Sequence, residues 1–149
     1  MIAQQNIDNQ DILFGDTIID NYDFNYLVKA NNFTKNTYLM PFCHQSSLVK
    51  KKLIEKIKFD KKYKIASDFN FFIKCFNKKK LFFNLDMVIS KISAKGLSDK
   101  NRNKVFNENI KILSKNNYSF FLILKLWQKK ILNFFNYILK LILPKFCIL

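Results

Sequence analysis

The chain has 149 residues, 26 of them Lys or Arg against 11 Asp or Glu, giving a formal net charge of +15, and 49% are apolar with only two Gly and two Pro. That length amounts to about one domain with room for a core, and the composition excludes disordered and low-complexity classes. Arg102 is the single arginine, whereas base readout and bidentate phosphate clamping favour guanidinium forks. The lysine-rich charge, with its accompanying Asn, Ile and Phe, therefore reads as compositional bias, and no nucleic-acid partner is expected.

Along the chain, the first segment, MIAQQNIDNQD, lacks a positive stretch followed by an apolar one, so no signal peptide is expected there. DILFGDTIID (11–20) and NYDFNYLVKA (21–30) read as two strands or a hairpin, interrupted at Gly15 and Asp16, and NNFTKN (31–36) as a loop. A helix is expected from a cap at Ser46 or Ser47 through LVKKKLIEKI, with Leu48, Val49, Leu53, Ile54 and Ile57 on one face. KFDKKYKIAS (58–67) is a linker with turn chemistry around Asp60. A second helix covers 68–77, where Phe69, Phe72, Ile73 and Phe76 recur at spacings of three and four.

LFFNLDMVISKI (81–92) reads as a strand, Gly96 as a turn and Ser98 as the cap of a surface helix over 99–114. The segment 118–143 is broken by Lys125, Lys129, Lys130 and Lys140, so its uncharged pieces fall short of the roughly 20 apolar residues of a membrane span. Lys125, Lys129, Asn133, Asn136 and Lys140 instead line one side of a helix that Pro144 would stop. Such a helix suits an anionic membrane surface, the protein core or another subunit equally well. The expected division is residues 1–115 as the main unit and 116–149 as a basic amphipathic helical tail.

Cys43, Cys75 and Cys147 are odd in number, far apart and accompanied by one histidine. Neither a disulfide framework nor a zinc site follows, and a reducing cytoplasm is the expected compartment. Cys43 and Cys75 read as small buried hydrophobes. Two residues between them carry possible chemistry. Asp68 opens a helix, where a carboxylate serves either as a cap for backbone N–H groups or as a base. His44, next to an apolar segment, is either a hydrogen-bonded core residue or a ligand-binding one.

Residues 41–76, PFCHQSSLVKKKLIEKIKFDKKYKIASDFNFFIKCF, resemble the acceptor-side segment of family 2 glycosyltransferases, the enzymes that assemble capsule, O-antigen and lipooligosaccharide sugars. The matching positions are His44, Gln45 and Ser46; Phe59 and Asp60; Tyr63, Lys64, Ile65 and Ala66; Asp68, Phe71 and Phe72; then Val88, Ile89 and Ser90, with Gly96 and Ser98 in the turn. Upstream, ILFGD (12–16) is similar to the family's Tyr-Gly-Asp strand, so the likeness covers about residues 11–100. Asn70 departs from the second acid of the family's Asp-Tyr-Asp, Lys74 from an arginine and Lys95 from a glycine. No Asp-x-Asp motif occurs in the chain.

The resemblance implies an α/β fold, specifically the acceptor-side half of a nucleotide-diphospho-sugar (GT-A-like) fold with a mixed sheet and flanking helices. It implies transfer of a sugar from a nucleotide-diphospho-sugar to a saccharide or lipid-linked acceptor in surface polysaccharide or lipooligosaccharide synthesis. The chain would lie peripherally on the inner face of the cytoplasmic membrane. Asp68 would be the catalytic base, and His44 and Gln45 would bind substrate. The Mg²⁺ or Mn²⁺ of the complete family site would be held in a donor half that the chain does not contain; the chain reads as a truncated transferase, completed, if it acts, by a separately encoded donor half. The alternatives are a non-enzymatic basic module that binds a membrane or a protein through residues 118–143 and, last, a charge-driven nucleic-acid binder.

Overall fold

The computed structural model describes residues 7–142 apart from 22, 95, 97, 99 and 100. Among these lie four strands and four α-helices: β1 (Ile12–Asp20), β2 (Asn25–Val28), β3 (Ser47–Val49), α1 (Lys51–Ile57), α2 (Ser67–Asn77), β4 (Phe82–Ser93), α3 (Arg102–Lys115) and α4 (Phe120–Ile142). The fold is mixed α/β. β1 is the centre of the sheet. Its first part pairs antiparallel with β3 (Ile12 opposite Val49) and its second part antiparallel with β2 (Asp20 opposite Asn25). β4 runs parallel to β1, from Ile12 opposite Phe82 to Asp20 opposite Ser93. As β4 takes one edge of β1 along its whole length, β2 and β3 share the other.

The expected break at Gly15 and Asp16 is a bulge in the ladder and not an end of the strand, because the register slips on both sides of Asp16. A Cβ at Gly15 would meet the Met87 carbonyl oxygen at 2.5 Å and Ile89 Cγ1 at 2.7 Å. Only glycine lets β4, with Asp86 in the left-handed region at φ 50°, bulge this close to β1. Asp16 is buried, and its Oδ1 accepts the Ala30 N–H at 2.8 Å, fastening the chain just beyond β2.

The helix expected from Ser46 to Ile57 is corrected. His44–Ser46 forms a 3₁₀ turn, Ser47–Val49 a strand, and α1 begins only at Lys51 without a side-chain cap. Leu48 is exposed on that strand, and within α1 only Leu53 is buried. The β-branched Val49 and the open edge of β1 outweigh the helical spacing, a tertiary override of local pattern. α2 and β4 lie where the periodicity puts them. The third helix starts at Arg102, with Asn101 and not Ser98 at its N-cap position, while positions 99 and 100 lie outside the described residues. It is more than a surface helix, since Ile112 and Leu113 are fully buried.

The core is largely aromatic. Phe14 stacks on Phe42 at 4.3 Å, Phe42 meets Phe72 edge-on at 5.1 Å, and Phe33 packs near both Phe76 and Phe82. Offset and edge-on arrangements of this kind add to the area term. α2 sits between the sheet and the following helices, and so buries Phe69, Phe71, Phe72 and Ile73 around most of its circumference. The turn after Lys115, with Asn117 at φ 56°, leads into α4, whose Leu122 and Leu126 are buried and pack it into the same body.

Candidate functional site

A cavity of about 960 Å³ lies at the carboxyl ends of the parallel pair, where Ile19 of β1 and Ile92 of β4 reach its wall. In open sheets with parallel strands this is the usual place for a ligand, because the chain leaves the sheet there and the loops diverge. The opposite wall is made by the 3₁₀ turn and the first turn of α2, which contribute His44, Gln45 and Asp68. Tyr26, Phe59, Lys64, Gly96 and Ser98 complete the lining.

The three residues singled out in sequence thus share one cavity. His44 Nδ1 donates to Asp68 Oδ2 at 3.0 Å, and Asp68 Oδ1 accepts the Phe69 N–H at 2.7 Å. The Asp68 side chain is 26% exposed and that of His44 52%. Asp68 is therefore neither walled off nor free in solvent. Its hydrogen bond raises the His44 pKa above the ordinary 6.5; partial burial opposes this and the Asp68 charge adds to it. With Nδ1 engaged, Nε2 is the ring nitrogen left for a ligand. Gln45 Oε1 accepts from the Cys43 thiol at 3.6 Å, which leaves its amide group as donor.

Behind the pair runs a buried chain of hydroxyls. Ser46 bonds Thr17 of β1 on one side and Ser90 of β4, at 2.6 Å, on the other. These bonds fix the turn that carries His44 to two adjacent strands. Nothing in the local sequence reveals the link, as the partners are far apart along the chain.

Asp68 lies in the first turn of α2 and accepts the Phe69 N–H there, while a second carboxylate braces the segment before the helix. α2 begins at Ser67, with Ala66 at its N-cap position and no side-chain cap. Just before α2, the backbone N–H groups of Lys64, Ile65 and Ala66 donate to the Glu108 carboxylate of α3, at 3.1, 3.0 and 2.8 Å. Burial pushes the Glu108 pKa up, but these three donors, with Lys111 nearby, bring it below the usual carboxylate value. Asp68 holds the Phe69 N–H and lines the cavity as well.

Other residues of the family-like pattern serve the framework. Phe59 stacks on Phe71 at 4.8 Å, Lys74 approaches Asp60 at 3.9 Å, and Tyr63 and Ala66 are buried. Asn70, at the position of the family's second acid, is buried in α2, and its Nδ2 has no hydrogen-bond partner among the described residues. Among the described residues no group of three or more His, Cys, Asp or Glu side chains could hold a metal ion. His44 and Asp68 alone would offer two ligands where Mg²⁺ takes six, mainly oxygens. Cys75 is buried, and its thiol is pushed up to about 12, chiefly by burial; it is a packing residue.

Comparison with protein-family models, characterised proteins and solved structures finds no match to this chain.

Proposed function

We propose that the chain is the acceptor-side half of a GT-A-like family 2 glycosyltransferase, working in surface polysaccharide or lipooligosaccharide synthesis at the inner face of the cytoplasmic membrane. The observation that carries this reading is the His44–Asp68 pair opening into a cavity at the carboxyl ends of β1 and β4. A carboxylate with one oxygen held by a backbone N–H and the other by an imidazole is fixed in direction, yet each oxygen keeps a lone pair for an incoming hydroxyl.

In the proposed reaction Asp68 takes the proton of an acceptor hydroxyl as that oxygen bonds to the anomeric carbon of the donor sugar. The bond from that carbon to the nucleotide diphosphate breaks, and the diphosphate leaves with the electron pair. His44 orients Asp68 and, through Nε2, joins Gln45 in binding acceptor hydroxyls. Residues outside this sequence supply the nucleotide site.

Two measurements test the proposal. Titration of the full chain with saccharides should perturb the resonances of His44 and Gln45. In the enzyme reconstituted with its donor half, Asp68→Asn should lower turnover by about 10²–10⁴-fold, the range of a lost general base, with donor binding intact. Unchanged turnover removes Asp68 as the base, and no saccharide response at His44 removes the cavity as the acceptor site.

A further inference from the structure

α4 leaves its apolar side chains on the side away from the protein. Leu122 and Leu126 face the core, and at 3.6 residues per turn the same side carries Lys129 and Asn133 further along. Lys129 Nζ lies 5.4 Å from the Tyr38 ring, which confirms the orientation. On the far side Phe120, Leu124, Trp127, Ile131, Phe134 and Leu141 follow one another at steps of four, three, four, three and seven, and all are exposed. A surface helix packed in the ordinary way shows the reverse arrangement, apolar inward and polar outward.

We propose that this outward face lies in the headgroup layer of an anionic lipid bilayer, with the helix parallel to the surface. No described helix is long and apolar enough to cross a membrane, so the face rests on the layer and does not pass through it. Its charge selects this occupant over a second copy of the chain. Phe120–Ile142 contains no acidic residue, and the whole chain carries +15. Two such surfaces repel each other, whereas an anionic membrane attracts both. The lysines are arranged to match: Lys125 Nζ lies 5.0 Å from the Phe121 ring and Lys130 Nζ 4.5 Å from the Trp127 ring. Each ammonium thus rides on an aromatic side chain at the flank of the apolar face, where a long side chain reaches a phosphate while its stem stays in apolar surroundings.

The docking surface rests on the membrane placement of the transferase reading but not on its chemistry, and the experiment keeps the two separate. Trp127 is the only tryptophan in the chain and lies on the proposed face, so its emission reports insertion directly. The full chain is mixed with vesicles of phosphatidylcholine alone or of phosphatidylcholine with phosphatidylglycerol, then sedimented. Binding to the anionic vesicles should exceed binding to the neutral ones by about tenfold or more and weaken with salt, while Trp127 emission shifts to shorter wavelength. The double variant Ile131→Glu/Phe134→Glu should bind about 100-fold more weakly with an unchanged circular dichroism spectrum, since neither side chain is buried. Lys125→Glu/Lys130→Glu should weaken binding to anionic vesicles alone, and Asp68→Asn should bind like the parent chain. Equal binding to both vesicle types, undiminished binding by the Ile131→Glu/Phe134→Glu variant, or a solution dimer that hides Trp127 and is dissolved by that variant would each overturn the proposal.

Discussion

α2 and α4 are both rich in phenylalanine, and they meet opposite surroundings. α2 is buried around most of its circumference by the sheet, by the segment 31–42 and by α3, although it contains Asp68, two Asn and Lys74. α4 is more apolar and yet is held by Leu122 and Leu126 near its start, with Trp127, Phe134 and Leu141 exposed beyond them. At 1.5 Å per residue its 23 residues extend about 34 Å, and its buried leucines, Leu122 and Leu126, lie in the first third. Apolar content thus fixes that a helix needs cover, and topology decides whether the chain itself supplies it.

The sharpest test of this contrast is a pair of truncations. Phe71→Ala, in the fully buried part of α2, should cost about 3–5 kcal/mol, a large share of the 5–15 kcal/mol that holds a typical domain, measured by urea unfolding. Phe134→Ala, on the outer face of α4, should change stability by less than about 0.5 kcal/mol in the same experiment. Comparable losses at both positions would mean that α4 has cover in solution.

A smaller effect is expected at the brace before α2. Glu108→Gln should cost about 1–2 kcal/mol, because a neutral amide oxygen replaces a carboxylate that accepts three backbone N–H groups. The folded pKa of Glu108 is lowered, so its contribution is present above the unfolded carboxylate value and is lost as pH falls through the folded one. Parent and variant should therefore converge in stability as pH falls through the lowered folded value, and amide exchange at Lys64, Ile65 and Ala66 should rise in the variant.

His44 gives the smallest effect and the most local readout. Its folded pKa is raised, so the pairing with Asp68 stabilises fully below 6.5 and is lost as pH rises through the folded value. For a half-exposed pair this amounts to no more than about 1 kcal/mol. His44 is the one histidine of the chain, so its ring proton resonances titrate without overlap. The midpoint should lie above 6.5 and move down in Asp68→Asn; an unmoved midpoint would show that the pair is not formed in solution.

The parts of the fold readable in the sequence are those whose signals are local. The β1–β2 hairpin, the turn at Asp60, α2 and β4 follow from alternation, turn residues or three-four spacing over a few adjacent positions. The strand at Ser47–Val49 was hidden because its partner edge on β1 lies some 35 residues upstream, at Ile12–Phe14. Glu108 was hidden for the same reason, since it acts on backbone groups more than 40 residues away. The candidate site was legible only as separate residues. His44, Gln45 and Asp68 could be picked out, while their meeting depends on Ser46 reaching Thr17 and Ser90.

β1 holds a position with a kinetic consequence. Every ladder of the sheet includes it, and its longest partner, β4, begins opposite Ile12 only at Phe82. Closing so long a stretch is entropically slow. During synthesis the strand leaves the ribosome well before β4 and waits, with its apolar residues uncovered, for the segment that completes it. The cavity therefore cannot exist in any nascent chain that has not yet released Ser93, and a truncation just short of that point would remove it while most of the residues that line it are present.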